Sequence, residues 1–183
     1  MYMDKDRFNF HKHFTKPTSG VGKEYPLLLE LIPQGPCSIL DYGCGKGGTV
    51  RWLQQHRKDA YIEGFDPFID EYNREEHLLR QWDYTFSGDV LEHIPQDELE
   101  GISYRLSKIT RCSSIHFIDL DPARKHFPTG ENAHLTIQEA DWWLKLLSQH
   151  WTVHDHYVQE WNHRRRLEVV LHSTTNWVDD DDD

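Results

Sequence analysis

Apolar residues along the chain form two alternating patterns, and these patterns predict its secondary structure. Short apolar runs bounded by glycine, proline or aspartate predict buried strands, while apolar positions three to four residues apart predict amphipathic helices. Strands are expected at residues 37–43, 60–67, 83–91 (including the exit of the strand), 113–121, 152–161 and 164–173. Helices are expected at residues 23–32, 48–58, 95–110 and 136–151.

This alternation predicts an α/β fold, a doubly wound Rossmann-like sheet that is mostly parallel. The last two strands have only Asn162 and His163 between them, so we expect an antiparallel pair. Thr136 is expected to cap the last helix, with Glu139 completing a capping box. In such a sheet the ligand lies at the carboxyl ends of the strands, near the point where the strand order reverses.

Length and composition indicate one domain with polar ends. Of the 183 residues, 1–22 are a polar N-terminal segment, 23–178 form the domain, and 179–183 are an acidic tail. The net charge of -11 opposes binding to an extended phosphate backbone. The three cysteines form no CxxC pair, which is typical of reduced thiols in a cytoplasmic protein. No apolar run approaches the about 20 residues of a membrane helix.

A glycine cluster follows the first predicted strand in SILDYGCGKGGT, and it can be counted in two ways. Gly43, Gly45 and Gly48 match G-x-G-x-x-G, the dinucleotide-binding fingerprint. Gly43, Gly45 and Gly47 match G-x-G-x-G, the loop found in enzymes that use S-adenosylmethionine. Both loops need glycine because the backbone must approach a ligand closely, so the glycines alone do not distinguish a dinucleotide from S-adenosylmethionine.

Two aspartates beside this loop favour a cationic ligand that contains adenosine. Asp41 lies two residues before Gly43, where a carboxylate would repel a pyrophosphate but would suit the ammonium and sulfonium groups of S-adenosylmethionine. Asp66 ends the second predicted strand, where a carboxylate can accept hydrogen bonds from both ribose hydroxyls.

With these residues the chain resembles the class I S-adenosylmethionine-dependent methyltransferases, in ILDYGCGKGG, GFDP and DYTFSGDVLEHIP, in that order. The resemblance implies S-adenosyl-L-methionine as the cofactor. It assigns the aminoacyl part and the ribose to the residues of the first two motifs, and the rest of the cofactor site to the exit of the third strand. The implied cofactor-binding residues are Asp41, Gly43, Cys44, Gly45, Gly47, Asp66, Pro67, Asp89, Val90 and Leu91.

The chain departs from that family between Asp66 and Asp83. The family places a further strand in this interval, but a strand–helix–strand unit takes about 30 residues. We therefore expect the third strand of the family to be missing, which leaves about six strands. The adenine contacts then have no obvious donor, and this edge of the sheet is expected to be open or covered by a partner subunit.

A second group of polar residues lies in GDVLEHIP. If one helical turn begins there, Asp89, Glu92 and His93 share a face, and His134 from a later loop could join them. These four are candidate ligands of a divalent metal, Mg or Zn, similar to the acidic-x-x-Glu-His sites of small-RNA 2′-O-methyltransferases and ubiquinone-pathway O-methyltransferases. Without a metal, His93 or His134 is the candidate general base. Asp119 is expected to face the acceptor.

Three functions remain open at this stage. The favoured one is transfer of a methyl group to a hydroxyl oxygen of a small molecule, sugar or nucleotide. A small-molecule or glycan acceptor is preferred to nucleic acid, and a homodimer or a partner subunit is considered. The alternatives are a catalytically silent binding subunit with this fold and an NAD(P)-dependent oxidoreductase that uses Gly43, Gly45 and Gly48.

Overall fold

A computed structural model describes residues 24–175, apart from the side chain of Trp161. The polar segment 1–22 and the tail 179–183 lie outside the described residues. The six strands are β1 (Ser38–Tyr42), β2 (Tyr61–Phe65), β3 (Trp82–Gly88), β4 (Thr110–Asp119), β5 (Trp151–Trp161) and β6 (Arg164–Ser173). The helices are α1 (Pro26–Leu31), α2 (Gly48–His56), α3 (Gln96–Ile109) and α4 (Ala140–Leu147), with short 3-10 turns at Glu75–Leu78 and Leu91–His93.

The strands form one sheet in the order β2-β1-β3-β4-β6-β5. The first four strands are parallel, and β6 runs antiparallel to both of its neighbours. The predicted α/β class and the six-stranded sheet are therefore confirmed. The turn between β5 and β6 is also as expected, since Asn162 and His163 have φ values of 47° and 61°, which a tight hairpin of type I′ requires.

Strand β2 is the edge of the sheet, so the third strand of the family is missing here. The segment between β2 and β3 holds only turns and the 3-10 turn at Glu75–Leu78. Two side chains reach the exposed backbone of β2 instead: Gln54 donates a hydrogen bond to the carbonyl of Ile62 at 3.0 Å, and His77 lies 3.2 Å from the carbonyl of Gly64. Side chains thus hydrogen-bond edge carbonyls that a further strand would otherwise pair.

Each face of the sheet carries its own apolar layer, as a doubly wound fold requires. Alternating side chains of β1 show this, because Ile39 packs with α1 and α2 while Leu40 packs with α3 and α4. Trp143 of α4 is fully buried in the second layer. Among the described helices, none has the length and apolarity needed to cross a membrane.

The last helix is shorter than predicted, and the prediction of a capping box at its start is wrong. Helix α4 begins at Ala140, and its N-cap residue Glu139 makes no side-chain capping bond. Thr136 instead donates its hydroxyl to the carbonyl of Ile94 at 2.8 Å and its backbone N–H to the carbonyl of Glu92 at 3.0 Å. These tertiary hydrogen bonds outweigh the local preference of threonine for a helix N-cap.

Candidate active site

The glycine loop between β1 and α2 uses the glycines of the second pattern. Gly43, Gly45 and Gly47 have φ values of 76°, 55° and 69°, in the left-handed region that favours glycine, whereas Gly48 begins α2 and does not have a positive φ. The backbone is thus shaped as the G-x-G-x-G pattern predicts. The third glycine of the dinucleotide fingerprint has no comparable conformational role.

A pair of buried carboxylates lies beside this loop. Asp41 and Asp66 are each 3% exposed. Burial, together with the neighbouring charge of Asp66, raises the pKa of Asp41 to about 8. No cation among residues 24–175 pairs with Asp41 to offset this cost. A positively charged ligand would favour the ionised form of Asp41 and would therefore be stabilised at this place.

Asp66 also organises the loop itself. Its carboxylate accepts the backbone N–H of Gly45 at 2.9 Å and that of Phe68 at 2.9 Å. The side chain that the sequence assigns to the ribose therefore ties the glycine loop to the end of β2. Pro67 lies between Asp66 and Phe68 in the chain, where its ring restricts the backbone φ. Ribose binding by Asp66 stays a prediction.

Three further residues of the predicted cofactor site differ in their surroundings. Val90 lies against the loop, because a Cβ added to Gly43 would meet its methyl groups at 2.5 Å. Cys44 points towards the sheet, where its thiol would be 2.6 Å from a Cβ added to Gly64. Leu91 is 3% exposed and packs in the apolar layer beneath α3 and α4, and its assignment to the cofactor site stays a prediction.

Tyr72 covers the glycine loop, and no pattern in the sequence indicated it. A Cβ added to Gly47 would lie 1.9 Å from the tyrosine hydroxyl, so the ring is in close contact with the loop. The backbone around Tyr72 receives the N–H of Asp66 at 3.1 Å, which connects this cover to the end of β2.

The second cluster forms from Glu92, His93 and His134. One ligand atom from each of these residues lies within 4.8 Å of the other two, and the two imidazole rings meet edge to face with centroids 4.8 Å apart. Glu92 is fully buried, and its carboxylate accepts the backbone N–H of Asp119 at 3.2 Å. The sequence therefore identified three residues that converge from two separate segments of the chain.

Backbone carbonyls fix the tautomers of both histidines. Nδ1 of His93 lies 2.7 Å from the carbonyl of Ala133, and Nδ1 of His134 lies 2.6 Å from the carbonyl of Asp121. A carbonyl only accepts, so each neutral imidazole carries its proton on Nδ1 and has its lone pair on Nε2. Histidine ligands of metal ions are usually held in this way.

Asp89 does not join this cluster, so three of the four predicted metal ligands converge. The chain makes a 3-10 turn rather than an α-helical turn after β3, and Asp89 has a φ of 56°. Its carboxylate lies 3.3 Å from the guanidinium of Arg166 and 3.4 Å from the hydroxyl of Tyr25. The spacing that would have put Asp89 and Glu92 on one face is therefore not realised.

Three consecutive arginines of β6 contact the carboxyl ends of the parallel strands. Arg164 pairs with Asp119, Arg166 pairs with Asp89, and Arg165 on the other face pairs with Asp121. Alternation along a strand, which directs side chains 164 and 166 to the same face, was the available signal for their role.

A cavity of about 450 Å³ opens above the second cluster. Glu92, His93 and His134 line it together with Asp89 and Asp119. The remaining lining residues are Ala123, Arg124, Lys125, Ala133 and Arg164. Asn132 holds the loop that forms one wall, since its amide both donates to and accepts from the backbone of Ala123 at 2.9 Å. The pocket is large enough for a small acceptor.

The fold is that of the class I S-adenosylmethionine-dependent methyltransferases, as comparison with solved structures shows. Magnesium protoporphyrin IX methyltransferase from Synechocystis PCC 6803, with bound S-adenosylhomocysteine, matches with a TM-score of 0.59 and 15% identity. The match covers 95% of this chain and 89% of that chain.

Two further structures show the same likeness. The 1,6-didemethyltoxoflavin-N1-methyltransferase from Burkholderia thailandensis has a TM-score of 0.57 and 16% identity, over 93% of this chain and 83% of that chain. An S-adenosylmethionine dependent methyltransferase from Mesorhizobium loti has a TM-score of 0.54 and 14% identity, over 80% and 96%. No family model matches the sequence. At these identities the likeness establishes the fold.

Proposed function

We propose that the chain is an S-adenosylmethionine-dependent methyltransferase whose acceptor atom is a hydroxyl oxygen. The observation that carries this proposal is Asp41, a buried carboxylate without a cationic partner among residues 24–175, beside a loop of three left-handed glycines. The fold it shares with structures that contain S-adenosylhomocysteine supports the same cofactor. A cationic ligand would favour the ionised form of Asp41, whereas the pyrophosphate of a nicotinamide cofactor would oppose it. Asp66 would suit the ribose of either cofactor.

The residues of the glycine loop fit the cofactor by charge and by backbone shape. Asp41 would attract the ammonium end, the loop N–H groups would face the aminoacyl part, and Asp66 would exchange a loop contact for the ribose. When bound, S-adenosylmethionine supplies a methyl group that its sulfonium already activates. The chain's own contribution is then mainly alignment of the two reactants.

The acceptor end of the site fits a divalent cation. Glu92 and the Nε2 atoms of His93 and His134 offer one carboxylate and two nitrogen ligands, a set that suits Zn²⁺ or a similar transition metal better than Mg²⁺. Bound there, a cation would lower the pKa of an acceptor hydroxyl. The carbonyls of Ala133 and Asp121 would hold the two rings in place.

Methyl transfer requires few groups from the protein. The acceptor oxygen forms a bond to the methyl carbon while the carbon–sulfur bond breaks, and the bonding electrons remain on sulfur. The hydroxyl proton is released, and His93 or His134 accepts it at Nε2 when no cation occupies the cluster. Asp119 is held by Arg164 at the wall of the same cavity, and there its carboxylate would accept a hydrogen bond from a second hydroxyl of the acceptor.

Calorimetric titration with S-adenosylhomocysteine tests the proposal. We expect binding by the unmodified chain, and at least about tenfold weaker binding by Asp41→Asn, since a charge-assisted hydrogen bond is lost. Asp70→Asn is the matched control, because Asp70 is an exposed aspartate in the segment after β2. Absence of S-adenosylhomocysteine binding, or binding of NADH in its place, would refute the proposal. Binding without turnover on any acceptor would favour the silent subunit.

A further inference from the structure

The acceptor cavity has a basic wall in an acidic protein. The chain carries a net charge of -11, yet Arg124, Lys125 and Arg164 line the same cavity of about 450 Å³. Cations gathered at one cavity of an acidic surface raise the local concentration of anionic ligands. Asp119 pairs with Arg164, and Asp89 pairs with Arg166. Glu92 lies with the two histidines, so no carboxylate of the lining is ion-paired with Arg124.

Arg124 and Arg164 differ in how their charges are used. Arg164 pairs with Asp119 and also donates to the carbonyl of Pro122 at 3.0 Å, so its guanidinium is fixed at the wall. Arg124 is exposed and forms no ion pair with any carboxylate of the described residues 24–175. A guanidinium without a partner at the mouth of a cavity is available for a ligand, and its planar donors suit carboxylate and phosphate oxygens.

The loop that carries Arg124 is ordered rather than loosely attached. The side chain of Asn132 hydrogen-bonds both the N–H and the carbonyl of Ala123, and it accepts the backbone N–H of His134 at 2.9 Å. Arg124 is therefore adjacent to a residue that is tied to the metal-ligand candidate His134. A ligand held at Arg124 is positioned relative to the histidine cluster, as specific recognition requires.

We infer that the methyl acceptor is a small hydroxylated anion, whose carboxylate or phosphate is bound by Arg124 with support from Arg164. This inference rests on the proposed function and names the substrate class of that site. The hydroxyl is placed at Glu92, His93 and His134, and the anionic group is placed at the basic wall of the same cavity. The volume matches one sugar acid, sugar phosphate or aromatic hydroxy acid.

The experiment compares charged and neutral forms of the same scaffolds. Protein saturated with S-adenosylhomocysteine is titrated with galacturonate, galactose phosphate and galactose, and with protocatechuate and catechol. In at least one scaffold we expect the charged form to bind about tenfold more tightly or better than the neutral form. Comparison of the carboxylate with the phosphate identifies which anion the wall prefers. The preference should fall as salt is added, because the wall is exposed to solvent.

Variants test whether Arg124 is responsible for the preference for charged ligands. Arg124→Gln should reduce the charged-over-neutral ratio to within about threefold, while Arg74→Gln, at an exposed arginine outside the cavity lining, should leave it unchanged. The inference is overturned if no charged form binds up to about 10 mM, if the neutral forms bind equally well, or if Arg124→Gln retains the preference. S-adenosylhomocysteine binding is measured in the same samples, so failure of this inference is distinct from failure of the methyltransferase proposal.

Discussion

Arg166 of β6 lies 3.3 Å from the carboxylate of Asp89, which directly follows β3, although 77 positions separate the two in the chain. Both side chains are largely buried, at 18% and 14% exposure. This pair explains why Asp89 is not among the three candidate metal ligands. It also ties the antiparallel hairpin to the parallel part of the sheet beside the cavity that Asp89 lines.

A double-mutant cycle should detect this pair as a coupling energy. Arg166→Met leaves the Asp89 carboxylate without its cation, and we expect the free energy of unfolding to fall by about 1–3 kcal/mol. Asp89→Asn in the same background should recover part of that loss, with a coupling of about 1–2 kcal/mol. Urea unfolding of the four proteins measures both values. Strictly additive effects would show that the ion pair contributes nothing.

Asp41 should make the protein less stable as the pH rises towards 8. Its pKa in the folded protein is about 8, against a model-peptide value of 3.8, so the folded state holds this proton more tightly than the unfolded chain. The stability from this proton is present below about pH 4 and is lost as the pH rises to about 8. Asp41→Asn should remove this decline.

The window from pH 6.5 to 8 is the cleanest one for that measurement. Burial lowers the pKa of His116 from 6.5 to about 3, so its contribution to stability is lost only as the pH falls below about 6.5. Urea midpoints of Asp41→Asn and the unmodified chain should therefore diverge with rising pH in this window. Parallel curves would mean that Asp41 is charged and stabilised in the ligand-free protein.

Metal binding should depend on the three converging side chains. Calorimetry with Zn²⁺ or Mn²⁺ should show one site, and Glu92→Gln or His134→Asn should weaken it by at least about tenfold. His56→Asn is the control, since that ring bonds to the carbonyl of Trp52 on α2, outside the cavity lining. A chelator should then slow methyl transfer. Full activity after chelation would assign the proton to a histidine base instead.

Alanine should have opposite effects at two glycines. Gly47→Ala would put a side chain at a φ of 69° and into the hydroxyl of Tyr72, so we expect a loss of about 2 kcal/mol or more and loss of cofactor binding. Gly101 lies inside α3 with nothing within 4 Å of an added Cβ. Gly101→Ala should therefore stabilise the protein by about 0.5–1 kcal/mol. Thermal or urea unfolding distinguishes the two signs.

The side-chain bonds along β2 can be tested with adjacent glutamines. Gln54→Ala removes a donor from the carbonyl of Ile62, and we expect a loss of about 0.5–1.5 kcal/mol. Gln55→Ala changes an exposed glutamine of the same helix and should have little effect. Size-exclusion chromatography with multi-angle light scattering should also show more self-association for Gln54→Ala, because an edge carbonyl becomes available. Equal behaviour of both variants would contradict this role.

Much of the fold followed from patterns that are local in the chain. The apolar runs located all six strands, because a buried strand needs a short apolar segment whatever its neighbours are. The brief interval between Asp66 and Asp83 excluded a further strand by length alone. The three left-handed glycines were also foreseeable, since only a narrow range of residues tolerates such backbone angles.

Parts of the site depended on partners far away in the chain. Asp89 turned towards Arg166 instead of Glu92, and Thr136 bonded to Ile94 instead of capping a helix. In each case a local preference worth about 1 kcal/mol was outweighed by tertiary contacts that no spacing reveals. The role of Tyr72 was missed for the same reason.

By itself the sequence determined the class of sheet, the glycine loop after β1, and three of the four side chains that were expected to converge. Only the tertiary structure decided which arginine neutralises which carboxylate, and which nitrogen of His93 and His134 faces the cavity. Backbone geometry is governed by neighbours along the chain, so local sequence patterns predict it. Charge pairing and imidazole tautomers are governed by neighbours in space, and these exist only once the strands have assembled.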